Sequence, residues 1–179
     1  MIKVIAFDFV GVLVREKNIP LTEVEDKLER KFGPNISDLN YINEVSNIID
    51  RNLVIDTARG IIDKLYEVKD NDLFKKIKEK NNNIKIIIAT NHISYVKEYI
   101  NKYLDIDNLD DSIISAEINR IKPNKDFYQY ILDKYNIEPN ELLFLDDNID
   151  NVNGAKELGI NTIKVDRDTN ILEEIDNYI

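Results

Sequence analysis

The sequence predicts an α/β fold, a three-layer α/β/α core around a mostly parallel sheet, with a small helical segment inserted after the first strand. Four short apolar runs rich in β-branched residues, at 3–7, 84–89, 141–145 and 161–165, have the length and continuity of strands buried on both faces. Helical periodicity fills the intervals between the later runs. Strands alternating with helices require crossover connections, which make neighbouring strands parallel and put ligand sites beyond their carboxyl ends. Between the first and second runs the alternation fails, because residues 17–69 offer helical spacing alone.

Taken in order, the first strand at 3–7 runs into Asp8 and then Gly11, a residue suited to a tight turn. The insert carries three helical patterns, at 21–32, 38–49 and 55–68. Thr22 and Glu25 have the spacing of a capping box, and Gly33 with Pro34 stops the first of them. A helix at 72–80 leads through the polar turn Asn81, Asn82 and Asn83 into the second strand. A weaker strand at 112–115 lies between helices at 95–103 and 126–135. The fourth run is followed by a helix at 152–158, which Gly159 ends, and then by the last strand. The core therefore comprises 1–16 with 70–179, and the insert 17–69.

The 179 residues carry 24 Lys and Arg against 34 Asp and Glu, a formal charge of −10. That balance repels phosphate backbones and anionic lipid, which argues against nucleic acid and membrane as partners. With no cysteine and His92 as the single histidine, disulfides, thiolate nucleophiles, cysteine zinc sites and paired-histidine catalysis are excluded. The apolar N-terminal run contains Asp8 and fits neither a signal peptide nor a membrane span, so a cytoplasmic monomer or homodimer is expected. The remaining chemistry belongs to carboxylates, Lys, Thr, Asn, Tyr, or a hard metal held by oxygen.

Carboxylates stand where such a sheet places its ligands. Asp8 follows the first strand, and Asp146 with Asp147 follows the fourth; adjacent acids at one strand end repel each other, a repulsion that Mg²⁺ relieves. Asp150, a little further on, reads as a capping or supporting carboxylate. The second strand ends in Thr90 and Asn91, a hydroxyl and an amide able to hold an anion, and Lys122 precedes Pro123 after the weak strand. Each of these residues has an ordinary structural role when taken singly. Their order after successive strands is what makes them a candidate site.

These motifs resemble the haloacid dehalogenase-like hydrolase superfamily, mostly Mg²⁺-dependent phosphatases with a Rossmann-like core. The likeness rests on VIAFDFVGVL, IIIATN, Lys122 with Pro123, and LLFLDDNIDNVNGAKELGI, in that order over nearly the whole chain. The last motif and RIKPNKDFYQYIL are most similar to the branch of α-glucose-1-phosphate phosphatases and the N-terminal phosphatase domain of soluble epoxide hydrolase. The insert lies where that branch has its cap. On this resemblance Asp8 is the nucleophile and forms an aspartyl phosphate, Asp8 with Asp146 or Asp147 and the backbone carbonyl of Val10 hold Mg²⁺, Thr90 and Asn91 bind the phosphoryl group, and Lys122 balances the acids and orients Asp8. A small phosphorylated metabolite is the implied substrate.

One position departs from the pattern. Most phosphatases of the superfamily carry a second aspartate two residues after the nucleophile, to protonate the leaving oxygen, and Val10 stands there. Loss of such help typically costs about 10²–10⁴ in rate, so leaving groups of low pKa are expected to be favoured. Two other readings remain open: a catalytically impaired protein that binds a phosphometabolite or protein partner, and a metal-free haloacid dehalogenase using the same Asp8. Arg15 is a weak candidate for substrate contact, and His92 reads more readily as structural than catalytic.

Overall fold

The computed structural model describes residues 1–34 and 37–179. The described strands are β1 (Val4–Phe7), β2 (Val14–Glu16), β3 (Tyr66–Val68), β4 (Lys85–Thr90), β5 (Asp111–Ile114), β6 (Leu142–Asp146) and β7 (Asn161–Lys164). Five of them form a parallel sheet in the order β5-β4-β1-β6-β7. The strand that delivers Asp8 is thus central, with Val4 opposite Lys85 on one side and Leu142 on the other.

The helices are α1 (Glu23–Glu29), α2 (Asp38–Val45), α3 (Val54–Leu65), α4 (Leu73–Lys80), α5 (Val96–Tyr103), α6 (Ser115–Ile118), α7 (Lys125–Tyr135), α8 (Ile149–Lys156) and α9 (Ile171–Asp176). Because side chains alternate along a strand, each strand feeds two layers. Val4, Ala6, Ile87, Leu142 and Phe144 pack on one face with Phe127, Tyr128, Ile131 and Leu132 of α7 and Ala155 of α8. Ile5, Phe7, Ile86, Ile88, Leu143 and Leu145 point the other way, onto α4 and α5. That second cluster continues without a break into Leu28, Tyr41, Val45, Ala58 and Ile61 of the inserted helices. Burial on both faces is why these strands read as unbroken apolar runs.

Several boundaries differ from expectation. Helix α3 stops at Leu65, and residues 66–68, expected as its last turn, form a two-stranded antiparallel ribbon with β2. Three residues are too few to separate a period of 2 from one of 3.6, and the pairing partner lies some fifty positions away. Inside the insert α1 and α2 are shorter than their patterns, although the Thr22 and Glu25 capping box forms in both directions. Helix α8 begins at Ile149 rather than 152, since the side chain of Asn148 caps it by accepting from the backbone of Asp150. The acid at 150 is therefore the capped position, not the cap. Among the described residues no helix is long and apolar enough to cross a membrane.

Candidate active site

Lys122 organises the carboxyl edge of the sheet. Its ammonium, 1% exposed, donates to Oδ1 of Asp8 at 2.8 Å, to Oδ2 of Asp146 at 2.7 Å and to the carbonyl of Ala89 at 2.8 Å. A primary ammonium has three protons, and all three are engaged. The main chain of Lys122 is held in turn by Asn91, whose amide oxygen accepts from its N–H and whose amide nitrogen donates to its carbonyl, both at 2.9 Å. The peptide bond joining Lys122 to Pro123 is cis. Asn91 thus reaches the site through Lys122, while Thr90 closes β4 with a buried side chain.

Asp8 extends β1 by one residue, its N–H donating to the carbonyl of Leu145 at 2.8 Å. Burial drives its carboxyl up to about 6 from 3.8; Lys122 opposes that shift and the charge of Asp146 adds to it. For Lys122, burial alone would lower the ammonium, but Asp8 and Asp146 outweigh burial and hold it above its ordinary value.

The two adjacent acids have different surroundings. Asp146 is fully buried and has both oxygens occupied: Oδ1 accepts from the N–H of Asn148 and Oδ2 from Lys122, and the Asn151 amide lies 3.1 Å from each. Asp147 is exposed, and no described cation pairs with it. Partial burial and then the charge of Asp146 raise its pKa. Gly11, at φ +87°, gives Asp147 its room, because a Cβ there would lie 2.2 Å from Oδ2 of Asp147. Asp8, Asp146 and Asp147 each present an oxygen within 4.8 Å of the others. Val10, half-buried, begins the turn that carries Gly11.

Asn151 is a site residue that the sequence does not mark as one. On the first turn of a helix it looks like any polar residue, and only the backward turn of the chain after β6 brings it onto Asp146. Arg15 pairs with Glu67 across the β2–β3 ribbon at 2.7 Å. His92 lies apart from the acids in an aromatic cluster, its ring 5.1 Å from that of Phe32. Its Nδ1 lies 3.1 Å from the carbonyl of Ile93, so that nitrogen carries the proton, and Nε2 accepts from the hydroxyl of Tyr66 at 3.0 Å.

Burial lowers the imidazole from 6.5 to about 4, so His92 is neutral in the fold and protonated in the unfolded chain between those values. Its stabilising contribution is whole above pH 6.5 and is lost as the pH falls toward 4. Asp8, whose folded value is raised, has the opposite sign: metal-free protein gains stability as it protonates below about 6. Asp8→Asn removes that opposing effect. In urea titrations the metal-free variant should lose about 2 kcal/mol between pH 6.5 and roughly pH 5. A flat profile would mean that folded His92 takes up the proton.

Comparison with known proteins fits this geometry. The chain superposes on a predicted HAD-like family hydrolase from Porphyromonas gingivalis with a TM-score of 0.75 at 21% identity, covering 99% of this chain and 97% of that one. A HAD-family enzyme of Bacteroides thetaiotaomicron, solved in complex with magnesium and inorganic phosphate, gives a TM-score of 0.73 at 16% identity, covering 97% and 99%. Among curated proteins, mouse bifunctional epoxide hydrolase 2 is 36% identical over 64 residues, 36% of this chain and 12% of that protein. The (S)-2-haloacid dehalogenase 4A of Burkholderia cepacia is 35% identical over 66 residues, 36% of this chain and 29% of its own length. The chain thus spans only a small part of these curated relatives. The model of the haloacid dehalogenase-like hydrolase family, by contrast, matches residues 2–159, nearly the whole chain from the strand before Asp8 to the helix after Asp147. The chain belongs to the haloacid dehalogenase-like hydrolases.

Proposed function

We propose that the chain is a Mg²⁺-dependent phosphatase of small phosphorylated metabolites, working through an aspartyl phosphate on Asp8. The observation that carries this reading is charge balance. Three carboxylates with oxygens within 4.8 Å of one another share one buried ammonium, and a divalent cation offsets the difference. The all-oxygen donor set suits Mg²⁺, as does the space that Gly11 leaves for Asp147. The Bacteroides neighbour holding magnesium and phosphate supports the same reading.

Asp8, Asp147 and the backbone carbonyl of Val10 would hold the ion, with Asp146 beside them keeping Lys122 in place. When bound, Mg²⁺ supplies Lewis-acid withdrawal of charge from the phosphoryl group. Asp8 attacks phosphorus, the bond from phosphorus to the ester oxygen breaks, and that oxygen takes its proton from water, since Val10 has none to give. Water then attacks the aspartyl phosphate, releasing orthophosphate and a proton and restoring Asp8. Thr90 donates to a phosphoryl oxygen, Lys122 offsets the added negative charge, and Asn91 acts by fixing Lys122. Residues 17–69 would serve as the cap; Asp38 at the start of α2 ties them to the loop after β4, accepting from the N–H of Ser94 at 2.8 Å and from its hydroxyl.

The direct test is hydrolysis of p-nitrophenyl phosphate. Turnover should require Mg²⁺ and vanish in EDTA, whereas EDTA-resistant chloride release from 2-chloropropionate would favour the dehalogenase reading instead. Gly11→Ala forces Asp147 aside, so calorimetric Mg²⁺ affinity should fall by about 10–100-fold; unchanged affinity would remove Asp147 from the ligand set. Val10→Asp should raise turnover of alkyl phosphates by about 10²-fold or more and of p-nitrophenyl phosphate much less. Equal response of both substrates would show that the missing acid does not limit the reaction.

A further inference from the structure

Most cations of this acidic chain are paired, and two that are not share a cavity. Arg15, Arg30, Arg59 and Arg120 each face a carboxylate, as do most of the described lysines. Arg167 has no ion pair among the described residues. Lys69 has none either; its ammonium donates to the carbonyl of Gly11, and its backbone N–H is anchored on the carbonyl of Leu13 at 3.0 Å. Both side chains line a cavity of about 210 Å³ between the turn after β1, the start of α4 and the segment joining β7 to α9. Its apolar wall includes Leu13, Leu73, Val165 and Leu172, the first three buried. The cavity also borders Asp70 and Asp166, but Lys76 at 2.8 Å and Lys164 at 2.6 Å already neutralise these. The local balance is therefore two cations outside any ion pair over an aliphatic pocket, with the carboxylate of Asp147 acting on Lys69 from the far side of the Gly11 turn.

We infer that this cavity binds a small amphipathic anion, a carboxylate or phosphate on a short aliphatic chain, separately from the phosphoryl site at Asp8. The anion sits between Lys69 and Arg167, the planar guanidinium able to take two of its oxygens, while the chain lies on Leu13 and Leu172. A volume of about 210 Å³ is below the usual range for drug-sized ligands and limits the occupant to a few carbons beyond its charged group. Val12 and Leu13 belong to the same turn as Val10 and Gly11, so an occupant would contact the backbone that cradles Asp147.

The test is a calorimetric titration of butanoate and of monobutyl phosphate into the whole chain, with 1-butanol as the neutral control. The titrations are run in EDTA, where the phosphoryl site is inactive, and are repeated with inorganic phosphate added to fill that site. Saturable binding of at least one anion and none of the alcohol is expected, weakened about tenfold by Arg167→Gln and again by Lys69→Gln. Arg167 is exposed and paired with nothing described, so its variant should melt as the wild type does. Binding of butanoate but not butyl phosphate assigns the site to carboxylates, and the reverse to phosphates. No saturable binding, binding abolished by phosphate, or binding indifferent to both substitutions would each overturn the inference. Because no turnover is measured, a failure here leaves the phosphatase reading untouched, and loss of that activity leaves this one standing.

Discussion

Asp8→Asn should abolish Mg²⁺-dependent hydrolysis of p-nitrophenyl phosphate while making the metal-free chain harder to unfold. The two effects share one cause. An asparagine amide cannot form the phosphoryl ester, and loss of a covalent nucleophile elsewhere costs on the order of 10⁶ in turnover. The ionised carboxylate is also an unfavourable guest in the fold: burial raises its pKa to about 6, so above that pH its charge opposes folding by up to about 3 kcal/mol. Replacing it leaves Lys122 paired with Asp146 at 2.7 Å and removes one of two acids competing for that ammonium. Urea unfolding at pH 7 in EDTA and an assay in Mg²⁺ read the two effects separately. An inactive variant less stable than the wild type would mean that Asp8 contributes to the fold and that burial is not its dominant condition.

The second large effect is expected at Lys122. Lys122→Met keeps the length and the apolar stem but removes three buried hydrogen bonds at once, leaving Asp8 and Asp146 as unpaired neighbours. Breaking a buried ion pair by deleting one partner typically costs 3–5 kcal/mol, roughly a third or more of a domain's stability. Two further measurements separate this cause from simple misfolding. The deficit should shrink as the pH falls toward about 6, because without Lys122 to hold it down the carboxyl of Asp8 takes up its proton at a higher pH than in the wild type. Saturating Mg²⁺ should also restore part of the loss, since a ligand of the folded state stabilises it by mass action. Adding Asp8→Asn to Lys122→Met should recover stability relative to the single variant, a coupling that only direct interaction produces. A loss smaller than about 1 kcal/mol would mean that water already solvates this cluster.

The sheet and the acids at its edge were legible because each has a cause confined to a few consecutive residues. A strand buried on both faces must be apolar throughout, and a charge at its end must be exposed or matched, so Asp8, Thr90 and Asp146 stand out against the runs before them. What escaped the sequence depends on long-range pairing. The Tyr66–Val68 strand exists only because residues 14–16 lie alongside it, and Asn151 matters only because the chain reverses after β6. The two acids at 146 and 147 look equivalent in one dimension. In three, one is locked under Lys122 and Asn151, and the other stands free beside Gly11. His92, a loop residue to the eye, is buried by Phe32 and Tyr66, which arrive from the insert and the ribbon.

The apolar cluster that passes from the sheet into the inserted helices has a thermodynamic meaning. A segment that interrupts a domain in sequence is often treated as a separable module with its own melting behaviour. Here Phe7 and Ile88 of the sheet belong to the same buried mass as Leu28, Tyr41 and Ile61 of the insert. Side chains that share one core lose their contacts together, so insert and sheet form one cooperative unit. Any ligand held at the sheet edge therefore stabilises helices that it never touches, and a lesion in those helices is felt at Asp8.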